Sequence, residues 1–260
     1  MKVVTWNVNS VRTREARLMG LLERHDPDVV CLQETKVVDE QFPYDLIEPA
    51  GWEVAAFGQK TYNGVAILSK EEPREVRHGF PGDPCPEQAR VISAQVGPLR
   101  VVDAYVVNGK AVGDEKYELK LRWLDAFAAW IEDEHDPAQP LLVTGDFNIA
   151  PDERDVHDVE RWRDSVLCSA AERERLQRLL GWGLQDLQRL HHDGEGPFTW
   201  WDYRAGAFAR GWGLRIDLAL GTAPVAAACT GVEVDREERK ESSGEGKPSD
   251  HAPVITSLSL

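Results

Sequence analysis

Short apolar runs rich in β-branched residues, each stopped by turn residues, outnumber the helical stretches of this chain, and that imbalance restricts the folds open to it. Residues 2–8, 28–33, 52–57, 64–69, 91–96, 99–106, 141–144, 214–220, 230–234 and 253–258 read as strands. Helical periodicity holds over 13–25, which Pro27 ends, over 115–135, where Leu119, Trp123, Phe127 and Ile131 fall one turn apart, and over 169–180. A repeating βαβ chain needs a crossover helix for each parallel strand pair, and there are too few. The expected fold is α/β: a four-layered sandwich of two packed mixed β-sheets flanked by helices. With no linker, repeat or low-complexity stretch, residues 1–260 read as one domain. Residues 236–247 are charged, contain Gly and Ser and lack periodicity, so they read as a mobile surface loop.

The formal net charge of −15 excludes a protein that coats nucleic acid by neutralising phosphates over its whole surface. It leaves room for an enzyme with a carboxylate-rich metal site and a local basic strip. Nine tryptophans are many for this length, and some must serve packing or base and sugar contacts. The cysteines, Cys31, Cys85, Cys168 and Cys229, are scattered without a C-x-x-C pair, which argues against a zinc ribbon or disulfide framework. Cys31 and Cys229 sit in apolar runs and read as reduced core residues. The chain enters a strand at once, with no signal-peptide apolar region, and no apolar run approaches a membrane span. The expectation is a cytoplasmic monomer with no membrane contact.

Several polar clusters stand at the ends of apolar strands, where side chains of layered α/β proteins converge on a crevice. In Trp6-Asn7-Val8-Asn9, period-two alternation puts both amides on one side. Leu32-Gln33-Glu34-Thr35-Lys36 delivers a carboxylate at a strand tip, and hard divalent cations use one or two such carboxylates. In Gly145-Asp146-Phe147-Asn148 an acid and an amide follow a tight turn: the acid can orient and deprotonate water, and the amide can hold an oxygen that gains charge. Ser249-Asp250-His251 feeds the last strand, and Asp217 lies inside an apolar run, where a buried carboxylate needs a partner such as His251. Each cluster alone also has an ordinary structural explanation as a turn, a cap or a salt bridge.

Their joint order, Asn-x-Asn, Gln-Glu-Thr, Gly-Asp-Phe-Asn, Arg-Ile-Asp and Ser-Asp-His, resembles the exonuclease III family of apurinic/apyrimidinic (AP) endonucleases, within the endonuclease/exonuclease/phosphatase superfamily. The likeness runs from Val3 to Ile255. Its most family-specific stretch is Phe198-Thr199-Trp200-Trp201-Asp202-Tyr203-Arg204, followed by Leu214-Arg215-Ile216-Asp217. The resemblance implies a DNA repair nuclease that hydrolyses the phosphodiester 5′ to abasic sites in double-stranded DNA. It also implies 3′-to-5′ exonuclease action and trimming of blocked 3′ ends. It implies Mg²⁺, with Mn²⁺ as the alternative ion, held by Glu34 with Asn9 and Asp250 nearby. Asp146 would activate water. Asn7 and Asn148 would orient Asp146 and the phosphate, Tyr105 would contact the phosphate, and Asp217 with His251 would bind a phosphate oxygen. Asn108 matches an amide after that tyrosine. Trp200, Leu214 and Ile216 match the pocket for the abasic sugar. Arg90 joins Arg12, Lys36, Lys110, Lys116, Arg204 and Arg210 as candidates for DNA-backbone contacts. The chain departs from the family in reading Tyr105-Val106-Val107-Asn108 where Pro often precedes the Asn, and in placing Leu214 where some relatives have an aromatic. Asn9 stands where an acid would bind a cation more strongly.

The same catalytic tetrads would also fit a superfamily phosphatase acting on a small phosphoester or lipid headgroup, against which the aromatic stretch at Phe198 speaks. A non-catalytic nucleic-acid-binding protein should have lost some of Glu34, Asp146, Asp217 and His251, yet all are present.

Overall fold

The structure, a computed structural model, describes residues 1–260. Twelve strands follow the chain: β1 (Lys2–Asn7), β2 (Val29–Gln33), β3 (Glu53–Phe57), β4 (Val65–Ser69), β5 (Arg74–His78), β6 (Val91–Val96), β7 (Leu99–Tyr105), β8 (Leu141–Asp146), β9 (Gln185–Asp186), β10 (Asp217–Gly221), β11 (Cys229–Val234) and β12 (Val254–Leu258). The principal helices are α1 (Glu15–His25), α2 (Glu115–Glu134) and α3 (Ala170–Trp182). The strands form two six-stranded sheets, ordered β11-β12-β1-β2-β4-β3 and β5-β6-β7-β8-β10-β9. Each is mixed: β1 runs parallel to β2 and β7 parallel to β8, and the remaining pairs are antiparallel. The two long crossovers carry α1 and α2, as parallel neighbours require. This is the sandwich expected from the strand-to-helix ratio.

The layers follow from which face of each strand is apolar. Val3, Cys31 and Ile67 of the first sheet pack between the sheets against Ala94, Val101 and Leu142 of the second. On the outer face of the first sheet, Val4, Trp6 and Leu32 meet Leu18 and Leu21 of α1. On the outer face of the second, Val102 and Val143 meet Trp123 and Phe127 of α2 and Leu176 of α3. Strands buried on both faces lack alternation, which is why they read as continuous apolar runs.

Some expectations change. The edge strand β5 was not apparent, because all its residues are exposed and Arg74, Glu75 and Arg77 give it no apolar run. Charge on an edge strand also blocks pairing with other chains. The strand expected over 214–220 begins only at Asp217. The residues before it are pinned by isolated bridges from Leu214 to Val156 and to Trp200. The segment 236–247 is not a free loop. It forms short turns of helix at Arg236–Arg239 and Glu241–Ser243, with Glu238 and Arg239 buried. Arg17, itself buried, holds Glu238 Oε1 at 2.9 Å and donates to the carbonyls of Lys240, Glu241, Gly244 and Gly246. Cys31 is buried in the core, but Cys229 is only half-buried on an outer strand; all the cysteines are free.

Candidate active site

Two rows of polar residues face each other where the sheets open. In the second sheet, Asp146 pairs with Tyr105 on β7 and with Asp217 on β10, so the three stand side by side at one strand level. In the first, Asn7 closes β1 beside Gln33 of β2, and Glu34 follows. Gly145 makes this possible: its φ is +134°, and a Cβ there would lie 2.0 Å from the Ala104 carbonyl oxygen of β7. Asn9, Glu34, Lys36 and Asn148 all hold left-handed backbone, with φ of 46°, 54°, 58° and 50°. Such strain persists where surrounding contacts fix it and collects at functional sites.

Asn7 joins the rows. Its buried amide nitrogen donates to Glu34 Oε1 at 2.9 Å and to Asp146 Oδ2 at 2.9 Å. The other oxygen of Asp146 accepts the Asn148 N–H at 2.9 Å. His251 Nε2 lies 3.8 Å from Asp146 Oδ2, while its Nδ1 sits 2.9 Å from Asp217 Oδ2. The backbone N–H groups of Ile216 and Asp217 both donate to Thr199 Oγ1 at 3.1 Å, which anchors the start of β10. Ser249 Oγ donates to the Asn7 carbonyl at 2.7 Å and accepts the His251 N–H at 3.2 Å, tying the last motif to β1.

Burial raises the Asp146 carboxyl to about 7; His251 pulls against the rise and Asp217 adds to it. Burial works against a charged imidazole at His251, but the Asp217 and Asp146 carboxylates overcome it and raise the ring to about 10. The site at neutral pH thus holds an imidazolium beside an acid poised near neutrality.

Oxygen donors collect on the other side of Asn7. Burial opposes ionisation of Glu34, but Lys36 beside it and the Asn7 amide hold its carboxyl below the usual range. Lys36 Nζ lies 2.7 Å from Glu34 Oε2 and also donates to Asn9 Oδ1. A positive charge therefore already bridges two oxygens of the expected metal site. Asn9 Nδ2 donates to Asp250 Oδ1 at 2.8 Å, and Asp250 Oδ2 accepts the Trp200 indole N–H at 3.1 Å. An oxygen set of two carboxylates and an amide that attracts a cationic head group fits a hard divalent cation. Asp146, Asp217 and His251 form a second acidic group, with ligand atoms within 4.8 Å of one another, that could hold a metal ion.

Tyr105 borders both groups. Burial, then the nearby Glu34 charge, push its phenol well above the usual value, so it keeps its proton. Arg90 was expected among the DNA contacts, but it is buried and turned inward. Its guanidinium lies 4.9 Å from the Tyr105 ring centroid and donates to the Tyr105 carbonyl at 3.2 Å and to Gln88 Oε1 at 2.7 Å. Asn108, without the family's Pro before it, is held instead by its side chain: Nδ2 donates to Asn148 Oδ1 at 2.9 Å. Asn148 Nδ2 donates to the Val106 carbonyl at 3.0 Å, which leaves one amide hydrogen free.

The expected sugar pocket is only partly formed. Leu214 and Ile216 are 0% and 2% exposed and pack with Val156, Leu167 and Cys168 beneath Trp162 and Trp200. They are a floor of packed core, not an open wall. Trp200 alone of the three lines a cleft, of about 330 Å³, together with Trp162, Trp212, His157, Arg161 and Arg204. Arg161 and Arg210 lie 5.7 and 4.6 Å from the Trp212 ring. Arginines therefore gather around the indoles at this cleft, with Arg204 on its lining.

The sequence reading missed Lys120. It is fully buried, and its ammonium donates to the Asn148 carbonyl at 2.6 Å. Its position held the signal: Tyr117, Lys120, Trp123, Leu124 and Phe127 share the buried stripe of α2.

Comparisons with known proteins show the family. The model of the endonuclease/exonuclease/phosphatase family matches residues 4–251. The chain is 37% identical over 266 residues to the exodeoxyribonuclease III of Haemophilus influenzae, covering 98% of each. Among solved structures it is similar to a 3′ phosphatase from Neisseria bound to a product DNA hairpin, with a TM-score of 0.95 and 41% identity over 100% of both chains. It is also similar to an AP endonuclease from Archaeoglobus fulgidus, with a TM-score of 0.95 and 34% identity over 100% of both chains. The chain thus belongs to the endonuclease/exonuclease/phosphatase family, in its exodeoxyribonuclease III branch, and is a phosphodiester hydrolase of the DNA-repair type.

Proposed function

We propose that this chain is a Mg²⁺-dependent enzyme, with Mn²⁺ as the alternative ion, that hydrolyses the phosphodiester 5′ to abasic sites in duplex DNA and trims blocked 3′ ends. One observation carries the reading. A single amide group, Asn7, contacts both Glu34 and Asp146, with His251 beyond, so a charge-neutralising, a water-activating and an oxygen-holding group surround one small space. Phosphodiester hydrolysis asks for that set.

Glu34 with Asn9 and Asp250 would hold the cation, which when bound neutralises charge on the phosphate and the leaving oxygen. The Lys36 ammonium, already seated on Glu34 Oε2 and Asn9 Oδ1, favours the Glu34 side over the Asp146–Asp217–His251 group. Asp146, fixed by Asn7 and by the Asn148 N–H, orients water and takes its proton; a base whose pKa lies near the working pH does this best. The His251 Nε2–H, the free amide hydrogen of Asn148 and the Tyr105 hydroxyl donate to the non-bridging phosphate oxygens. Burial makes such preset donors stronger than they would be in water.

The aromatic, arginine-lined cleft beside Asp250 suits a DNA strand, whose bases or bare sugar can lie on indole faces and whose phosphates meet Arg161 and Arg204. An abasic nucleotide has no base to unstack, so drawing it into that cleft costs less than extruding an intact one. A small phosphoester or lipid headgroup would leave those indoles unused. The similarity to exodeoxyribonuclease III, to a 3′ phosphatase and to an AP endonuclease supports the same substrate class. The free thiols suit a reducing compartment such as the cytoplasm, and no helix is long and apolar enough to cross a membrane. We place the protein there as a monomer.

The test is an end-labelled duplex with one abasic analogue, incubated with Mg²⁺ or with EDTA, and the cut mapped. The expected product is a metal-dependent nick on the 5′ side. No cleavage of this duplex or of a 3′-blocked one, with phosphate released from inositol phosphates instead, would move the chain to the phosphatase reading.

A further inference from the structure

We infer that the buried pair Lys120–Glu172 is a positioning device for the phosphate-facing amide of Asn148, directly and through the neighbouring Asn108; this rests on the function proposed above. Lys120 projects from α2 and Glu172 from the first turn of α3, and both side chains are 0% exposed. The Lys120 ammonium donates to Glu172 Oε1, to the Asn148 carbonyl at 2.6 Å and to the Asn108 carbonyl at 3.3 Å. Its three hydrogens thus match three acceptors, two of them backbone oxygens of the residues whose amides meet each other across 2.9 Å.

The arrangement closes around Asn148. Its N–H is fixed on Asp146, its side chain on Val106 and Asn108, and its carbonyl on Lys120. Without Lys120 that carbonyl, in a left-handed residue packed against α2, would have no partner. Glu172 is anchored in turn. It accepts the Leu167 N–H at 3.0 Å, the Ser169 N–H at 3.0 Å and the Ser169 hydroxyl at 2.6 Å, in a capping box that starts α3. Tyr117, one turn before Lys120, touches the same Ser169 hydroxyl at 2.7 Å. The pair therefore couples both outer helices to the two loops that carry the amides. A buried ion pair is poor at adding stability, since a well-packed neutral pair of like volume does as well or better. Holding carbonyls that must not shift is a reason to keep it.

Lys120→Met alone would leave the buried Glu172 charge without its counter-ion and destabilise the chain, so the informative variant is Lys120→Met/Glu172→Gln, with both charges gone. Its steady-state rates on abasic duplex with Mg²⁺, measured well below the variant's own Tm and with its circular dichroism unchanged, should show kcat at least ten-fold lower and KM within three-fold of wild type. In an Asn148→Ala background the same double exchange should change kcat less than two-fold, because Lys120 acts through that residue. A kcat within two-fold of wild type overturns the inference. So does a kcat that falls only in step with Tm, or a full ten-fold loss in the Asn148→Ala background. If wild type itself does not cut the duplex, the proposed function fails; if it cuts and the variants behave as wild type, only this inference does.

Discussion

The carboxylate of Asp217 holds His251 by one ring nitrogen, Nδ1, at 2.9 Å, and thereby points the other, Nε2, at Asp146 3.8 Å away. The pair fixes both the charge and the direction of the imidazole. His251→Ala should lower kcat by roughly 10²–10³, the cost of removing one preset oxygen donor, while the far-ultraviolet circular dichroism stays unchanged. Near-normal turnover would remove His251 from the site's chemistry.

Asp217→Asn tests the charge. Burial alone would lower the His251 pKa; Asp217 is the first of the groups that raise it to about 10. A step that needs the imidazolium is lost as pH rises through that value. In the variant the alkaline limb of kcat should therefore move to lower pH. An alkaline limb at the wild-type position would show that His251 acts uncharged.

Asp146→Asn should lose at least 10² in kcat with little change in KM. In wild type, the acid raised to about 7 acts as a base only when ionised, so activity falls as pH drops through that region. A cation beside Glu34 favours the ionised form. Raising Mg²⁺ should therefore shift the acidic limb of the rate profile downward. A limb that ignores metal concentration would separate the two groups.

Glu34→Gln addresses the cation. Lys36 bridges Glu34 and Asn9 where a divalent ion would sit. A ligand of the native state stabilises it by about 2.7 kcal/mol at a hundred times its Kd. Millimolar Mg²⁺ or Mn²⁺ should raise the Tm of wild type and leave that of Glu34→Gln unmoved. An equal rise in both would place the ion elsewhere, with the Asp146–Asp217–His251 group the first alternative.

A buried acid below the site gives a separate test of stability. Asp103 accepts from Gln33 Nε2 at 2.6 Å between the sheets, and burial raises its carboxyl well above the usual value. Above the ordinary carboxylate range the unfolded chain has lost this proton and the folded chain has kept it. Folding then takes up a proton, and stability declines as pH rises. Asp103→Asn removes that exchange. Its Tm should gain on wild type progressively as pH rises above the ordinary carboxylate range, and parallel curves would show that Asp103 is ionised in the fold.

What the sequence determined is what depends on neighbours in the chain. Apolar runs and turn residues located most strands and all three long helices, because backbone geometry and burial impose local periods. Glu34, Asp146 and His251 each have an ordinary explanation alone, as a salt bridge, a cap or a turn; their joint order along the chain singles them out, and the fold gathers them around Asn7. Other features required the assembled molecule. Arg90 is a typical surface residue by type, and only the stacking of β6 beside β7 turns it onto Tyr105. Leu214 and Ile216 are apolar either way; whether an apolar residue lines a pocket or fills a core depends on what packs over it, here Trp162 and Trp200. Residues 236–247 carry the composition of a loop, yet a single buried guanidinium, Arg17 of α1, gathers their carbonyls. Lys120 and Glu172 lie far apart in the chain, and their pairing exists only because α2 and α3 share one face of a sheet. Electrostatics and packing are set by distance in space, which sequence spacing does not encode.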